Sequence, residues 1–137
     1  SHIGIANEIE INKNGIKHPL YKNKDKKFNS PAFNFDEVVK IPDKGICLAS
    51  NKINKVQGLY FEVNKTKIWG LQYHPEITYE KMINLIEFRK ERLIESRKVF
   101  KDDTEVQKHI AFIKKEISVS DKEKRMLELK NWLNELN

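Results

Sequence analysis

The sequence has little of what builds covalent cross-links, phosphate loops or membrane spans. Its 137 residues contain one cysteine, Cys47, so no disulfide can form within the chain. The five glycines form no glycine-rich phosphate loop, and we expect no ATP site and no other cofactor. No apolar run approaches the roughly 18 residues that a membrane span needs, and the first residues alternate instead of forming a secretory leader. These absences predict a soluble, cytoplasmic protein.

Charge is abundant but spread along the chain. The net charge is +6, with 12 basic and 8 acidic side chains in residues 1–77 and 14 and 12 in residues 78–137. The basic cluster at 22–27 stands among asparagine, aspartate and serine, which favours a solvated loop over a phosphate-binding patch. We therefore do not expect a nucleic-acid partner. The length suits one domain with a substantial core.

The first half of the chain reads as strands and turns. Ile3, Ile5, Ile9 and Ile11 alternate with polar residues, which predicts a half-buried strand closed by a turn at "NKNG". Residues 16–35 are irregular and aromatic, which predicts a structured loop. Further strands are predicted at four places, 36–41, 45–50, 56–63 and 67–73, and the short "NKT" between the last two predicts a hairpin.

After residue 78 the apolar period becomes helical. Thr78 is placed to cap a first helix, "TEVQ" at 104–107 is a capping-box pattern, and "SDKE" at 120–123 repeats it. The three apolar stripes are Tyr79, Met82, Ile83, Ile86, Leu93 and Ile94; Val106, Ile110, Ile113 and Ile117; and Met126, Leu129, Leu133 and Leu136. Such stripes more often pack on a core than bind a ligand. The whole pattern is that of an incomplete α/β domain with few β–α alternations.

The stretch "IWGLQYHPEITYEKM", residues 68–82, carries the chemistry. A predicted strand delivers His74 at its end, and Pro75 restricts the residue before it to extended conformations. In extended geometry, side chains two apart point the same way, so Glu76 could hydrogen-bond one imidazole nitrogen and leave the other free as a base. Taken alone, the pattern is a weak signal and more often marks a histidine that is merely hydrogen-bonded at a strand end.

Several segments, in order along the chain, resemble one family. "WGLQYHPEI" resembles the Gln-x-His-Pro-Glu motif of class I, triad-type glutamine amidotransferases, and "KVQGLYFE" resembles their preceding strand. "VVKIPDKGICLASN" is similar to the family's strand, proline turn and next strand, and "IGIANEIEINKNGIKHPLY" to its upstream strand and loop. The likeness covers residues 3 to about 95 and is greatest to amidotransferase domains of the GMP synthase type.

The resemblance implies a fold, a substrate and roles. The fold would be the carboxyl-terminal part of a flavodoxin-like amidotransferase, covering residues 1–98, with residues 99–137 as a helical extension packed on it. The substrate would be glutamine, hydrolysed to glutamate and ammonia by a Cys-His-Glu triad in which His74 is the base and Glu76 orients it. Asn34 stands where the family usually has a histidine, and the backbone of Phe33 and Asn34 would contact the amino-acid end of glutamine.

Cys47 does not match the nucleophile that the family requires. That cysteine sits in a G-x-C-x-G turn between a strand and a helix, whereas "GICLASN" lacks the second glycine and a following helical stripe. Cys47 instead suits a buried strand position. We therefore expect the nucleophile in a preceding half outside these 137 residues, and expect this chain alone to be inactive.

The same reasoning leaves partners and an alternative open. The ammonia would pass to a separate synthetase domain or protein, and a half-sheet exposed in this way favours homo-oligomers. His2 and His109 have no carboxylate or cysteine at ligand spacing, so no metal site is expected. The alternative to an enzyme fragment is a non-catalytic interaction module that keeps the amidotransferase fold.

Overall fold

The computed structural model describes residues 1–136 and shows a mixed α/β chain. The strands are β1 (His2–Ile3), β2 (Ala6–Ile11), β3 (Lys27–Ser30), β4 (Phe33–Asn34), β5 (Ile46–Ser50), β6 (Gly58–Val63) and β7 (Thr66–Leu71). The helices are α1 (Lys13–Lys17), α2 (Tyr79–Phe88), α3 (Asp103–Val119), α4 (Lys122–Arg125) and α5 (Leu127–Glu135), with a 3₁₀ turn at Pro19–Tyr21 and a π-helical turn at Arg92–Ser96. Strands thus dominate the first half and helices the second.

Five strands form one antiparallel sheet in the order β3-β2-β5-β6-β7. The predicted hairpin is confirmed, since β6 and β7 pair from Gly58 opposite Leu71 to Val63 opposite Thr66. Its two linking residues, Asn64 and Lys65, both have positive φ, as the tightest hairpin turns require. β1 and β4 form a separate antiparallel pair. Every strand pair within residues 1–136 is antiparallel.

The four alternating isoleucines are buried, but they serve two cores. Gly4 has a φ of +85°, and the segment is broken there into β1 and β2; within β2, the pairing with β3 is irregular between Ala6 and Ile9. Ile9 and Ile11 pack in the sheet core, whose other members include Leu20, Leu48 and Tyr73. Ile3 and Ile5 pack in a helical core with Ile86, Leu93, Val106, Ile110 and Ile113. The break therefore lets one segment join the sheet to the helices.

The irregular region expected at residues 16–35 contains regular structure. The predicted turn at "NKNG" is the start of α1, because the Asn12 side chain accepts from the Gly15 backbone N–H at 2.9 Å. β3 forms because its partner β2 places Ile9 opposite Phe28, although "KFNS" has no alternating pattern of its own. The strand predicted at residues 36–41 is absent; that stretch is irregular and leaves Val39 89% exposed.

The helix starts were predicted to within two residues. Thr78 caps α2, and its side-chain oxygen accepts from Lys81 N–H at 3.2 Å, as predicted. The cap of α3 is Asp102, whose side chain accepts from Glu105 N–H at 3.0 Å, whereas Thr104 lies inside the helix. Asp121 caps α4. An aspartate accepts the N-terminal N–H groups at least as well as threonine, so the earlier acidic residue sets the start.

The last helix packs with its polar side inward, contrary to the predicted stripe. Glu128 and Asn131 are buried, while Leu133 and Leu136 are 55% and 64% exposed. The reason is the surface that α5 meets, where the Lys24 ammonium and backbone carbonyls of residues 20–22 need polar partners. The Lys24 side chain, expected in a solvated loop, is accordingly only 5% exposed. The predicted extension ends at Asn137, which lies outside the described residues.

Candidate active site

The His-Pro-Glu corner is a turn that follows the last strand. β7 ends at Leu71, three residues before His74, although the Gln72 N–H still donates to Gln57 O at 2.9 Å. The His74 N–H donates to Pro31 O at 2.7 Å, and the Ile77 N–H donates back to His74 O at 3.2 Å. Residues 74–77 therefore form a β-turn with Pro75 in its second position. A turn, and not the expected extended segment, brings the two side chains together.

The structure places His74 Nδ1 2.7 Å from Glu76 Oε1. An ionised carboxylate can only accept, so Nδ1 carries the proton and Nε2 is left with a free lone pair. The two side chains are 44% and 47% exposed, so the pair contributes little to folding stability. The arrangement holds the imidazole in one orientation and leaves it open to solvent, a geometry in which it could exchange a proton with an outside group.

The neighbours of the pair point into the protein and fix the turn. Tyr73 and Pro75 are buried, and the hydroxyls of Tyr73 and Tyr21 lie 2.9 Å apart. Burial, and then the neighbouring Tyr21 hydroxyl, raise the pKa of Tyr73 well above its ordinary value. From the far end of the chain, Arg125 Nε donates to Pro75 O at 3.0 Å. The backbone of the turn is thus tied to Pro31, between β3 and β4, on one side and to α4 on the other.

Phe33 and Asn34 lie beside this turn. They form β4, which pairs with His2 and Ile3, and the Asn34 side-chain N–H donates to Gln72 O at 3.1 Å, two residues before His74. Asn34 Oδ1 is buried and has no hydrogen-bond partner among the described residues. The chain therefore brings both predicted substrate-binding residues close to the corner, while the contact with glutamine stays a prediction.

His2 belongs to a buried polar network. Gln57 Nε2 lies 2.8 Å from His2 Nε2 and donates to Asn51 Oδ1 at 3.1 Å. Burial, with a smaller effect of the amino terminus, lowers the pKa of His2 to about 4, so the ring is neutral and accepts from the amide. His109 instead contacts Ile3 O. Within residues 1–136, no three potential histidine, cysteine or carboxylate ligands come together as a metal site.

Cys47 lies in a strand, β5, as predicted, but it is only partly buried and not buried as expected. It pairs with Leu59, which in turn pairs with Gly70. In the sheet order, β6 therefore lies between β5, which carries Cys47, and β7, which leads to His74. Burial raises the pKa of the thiol, which keeps it protonated and unreactive. The intervening strand and the raised pKa both argue against Cys47 as the nucleophile for His74.

Two contacts at the corner had no signal in the sequence. Arg125 is 50 residues from Pro75, and a lone arginine in a helical, highly charged segment reads as a solvated side chain. Pro31 supplies a backbone carbonyl, which no side-chain pattern records. A residue that acts through main-chain hydrogen bonding is found only when the fold is known.

Comparison with known proteins gives partial similarity to two enzymes. The chain is 30% identical over 73 residues to Gamma-glutamyl-L-1-hydroxyisopropylamide hydrolase of a Pseudomonas species. It is 37% identical over 71 residues to a glutamine-hydrolyzing GMP synthase component of Methanocaldococcus jannaschii. These matches cover 53% and 51% of this chain but only 24% and 36% of the two relatives. No protein-family model matches the chain.

Both relatives are named as hydrolysing enzymes, and the names concern glutamine or a γ-glutamyl amide. The similarity therefore connects the chain with amidotransferase-type hydrolases over about half of its length. As for membranes, none of the described helices combines the length and apolar character that crossing a bilayer demands.

Proposed function

We propose that the chain is the carboxyl-terminal portion of a class I glutamine amidotransferase and supplies the histidine and glutamate of its triad. The observation that carries the proposal is the 2.7 Å contact between His74 Nδ1 and Glu76 Oε1 on an exposed, backbone-locked turn. The partial similarity to a glutamine-hydrolysing protein supports the choice of substrate. Residues 1–98 would form the amidotransferase part and residues 99–137 a helical extension on it.

The chemistry follows from the free Nε2 of His74. Nε2 removes the proton of a cysteine thiol, and the thiolate attacks the side-chain carboxamide carbon of glutamine to form a tetrahedral adduct. The imidazolium, stabilised by Glu76, then protonates the departing nitrogen as the C–N bond breaks, releasing ammonia and a thioester. Water, deprotonated by the same Nε2, hydrolyses the thioester to glutamate and restores the thiol. Phe33 and Asn34 would contact the amino-acid end of glutamine.

The thiol would come from outside these 137 residues, because β6 separates the strand of Cys47 from β7 and burial raises the pKa of the Cys47 thiol. We propose that the segment carrying the thiol also supplies the parallel strands of a flavodoxin-like sheet, which β2 to β7 do not contain. A separate synthetase domain or protein would consume the ammonia, as the name of the archaeal relative suggests. A cytoplasmic location fits a reaction that depends on a reduced cysteine.

The test is glutaminase activity of the complete protein, measured as glutamate and ammonia released. His74→Ala should lower kcat by about 10²- to 10⁴-fold, the usual contribution of a general base. Glu76→Gln should also lower kcat, because the amide cannot stabilise the imidazolium. The matched control is Glu80→Gln, an exposed glutamate one turn further on in α2, which should keep wild-type activity.

Full activity in the His74 variant would defeat the assignment. A complete protein that lacks both glutaminase activity and a nucleophile turn would favour the non-catalytic interaction module. That alternative has one observation on its side: Asn34 replaces the family's histidine, and its amide is already engaged by Gln72 O.

A further inference from the structure

We propose that Arg125 is a positioning residue for the His74–Glu76 pair, so that α4 and α5 form part of the candidate active site. The inference rests on the proposed function for its catalytic meaning. Its structural part can be tested without any reaction: the Arg125 side chain, in α4, sets the geometry of the corner. It assigns a role in the site to a region that the sequence marks only as cover.

The hydrogen bond from Arg125 is made to the backbone carbonyl that immediately precedes Glu76. Arg125 Nε donates to Pro75 O at 3.0 Å. That carbonyl belongs to the peptide plane between Pro75 and Glu76, so holding its oxygen orients the peptide group from which Glu76 continues. On the other side, the bond from His74 N–H to Pro31 O holds the histidine backbone. The two side chains are about half exposed and contact each other, and the backbone on each side of them is held by a hydrogen bond.

The helices that carry Arg125 are docked by directional polar contacts. Lys24 Nζ lies 2.8 Å from Glu128 Oε1 and donates to Lys124 O at 2.8 Å. Asn131 Nδ2 donates to two carbonyls, Leu20 O at 2.8 Å and Lys22 O at 2.9 Å. A helix that served only as cover would bury Leu133 and Leu136, which here face solvent. Directional contacts of this kind fix the position of α4 and α5 along the surface that they cover. A fixed position is needed to hold Arg125 at the Pro75 carbonyl.

The docked helix α5 also lies near Tyr73, the residue that precedes His74. The charge of Glu128 is among the groups that raise the pKa of Tyr73 and Tyr21, so α5 lies close to the hydroxyl pair beneath the corner. Tyr73 immediately precedes His74. Residues of α4 and α5 therefore act on both sides of the histidine, through the Pro75 carbonyl and near the Tyr73 hydroxyl.

The experiment compares the imidazole of His74 in three forms of the 137-residue chain. Arg125→Met removes the donor and keeps the apolar stem, and Lys124→Met is the matched control, since the Lys124 side chain is 63% exposed and pairs only at the surface with Asp25. The readout is the balance between the Nδ1–H and Nε2–H tautomers, taken from the ¹⁵N shifts of the neutral ring. Urea unfolding of each variant runs in parallel.

We expect Arg125→Met to move the tautomer equilibrium away from Nδ1–H by about fivefold, the equivalent of one ordinary hydrogen bond. Lys124→Met should leave it unchanged, and Arg125→Lys should fall between wild type and Arg125→Met. A tautomer balance within twofold of wild type in Arg125→Met would overturn the proposal. So would a chain that fails to fold, because that result would make Arg125 a general stabilising residue.

A second arm separates this inference from the proposed function. In the complete protein, Arg125→Met should lower kcat for glutamine and leave KM unchanged, because a positioning residue acts on the transition state. If the wild-type protein releases no ammonia while the tautomer shift is observed, the proposed function fails and the positioning role stands. If the wild type is active and Arg125→Met has the same kcat and the same His74 tautomer balance, the positioning role fails and the proposed function stands.

Discussion

Replacing Lys24 by methionine tests the buried ion pair that fastens α5 to the sheet. The ammonium and the Glu128 carboxylate are 2.8 Å apart, with side chains 5% and 1% exposed. Neither carboxylate oxygen has a well-directed hydrogen bond among the described residues, so the attraction of Lys24 is the main compensation for a buried charge. The substitution removes that compensation and keeps most of the side-chain volume.

The expected loss follows from the environment of the pair. Removing one partner of a buried ion pair costs about 3–5 kcal/mol, because the other charge stays desolvated. That is a large share of the roughly 5–15 kcal/mol that stabilises a domain. Burial lowers the pKa of Lys24 despite the attraction of Glu128, so desolvation outweighs the pairing. Replacing both groups, as Lys24→Met with Glu128→Leu, should therefore cost less than about 1 kcal/mol, or stabilise.

The assay is urea unfolding of the wild type, the two single variants and the double variant, analysed as a double-mutant cycle. The two single variants should each be much less stable than the double variant. A loss below about 1 kcal/mol in Lys24→Met would show that Glu128 finds other compensation. A double variant less stable than the wild type by well over ~1 kcal/mol would show that the pair itself stabilises the fold, which contradicts the reasoning.

Two further predictions concern histidine titration and helix capping. The pKa of His2 is about 4 in the folded chain and about 6.5 in the unfolded chain, so below pH 6.5 the unfolded state binds the proton more readily. The free energy of unfolding should therefore fall by about 2–3 kcal/mol as the pH drops from 7 to 4.5. His2→Asn should remove that part of the fall, measured by urea unfolding at both pH values. The same loss of stability between the two pH values in His2→Asn and in wild type would contradict the prediction. Asp102→Ala should destabilise α3 by about 1 kcal/mol and Thr104→Ala by less than about 0.5 kcal/mol, measured as shifts of the thermal midpoint; equal losses would place the cap elsewhere.

The features that the sequence predicted are those with short-range causes. The β6–β7 hairpin depends on two adjacent residues that accept positive φ, and the start of α2 depends on Thr78 and the backbone three residues on. The burial of the four isoleucines depends on their period. Each of these preferences acts within a few residues, so a single sequence contains it in full.

The features that it missed depend on distant partners. β3 exists because β2 supplies its hydrogen bonds, and the polar side of α5 turns inward because Lys24, about a hundred residues earlier, lies beneath it. Residues 36–41 have strand-like composition but no neighbouring strand to pair with among the described residues, and they stay irregular. Propensity is therefore overruled wherever pairing or a buried charge decides the outcome.

The candidate site likewise combines contacts with short-range causes and contacts with long-range causes. His74 and Glu76 lie two apart with a proline between them, so a local turn suffices to bring the imidazole and the carboxylate into contact. What holds that turn comes from far away, from Pro31 on one side and Arg125 on the other. A motif can therefore specify which groups carry the chemistry, while the accuracy of their placement depends on contacts that only the folded chain brings together. Variants of His74 and Glu76 therefore test the chemistry of the corner, and variants of Arg125 in α4 test the placement of its groups.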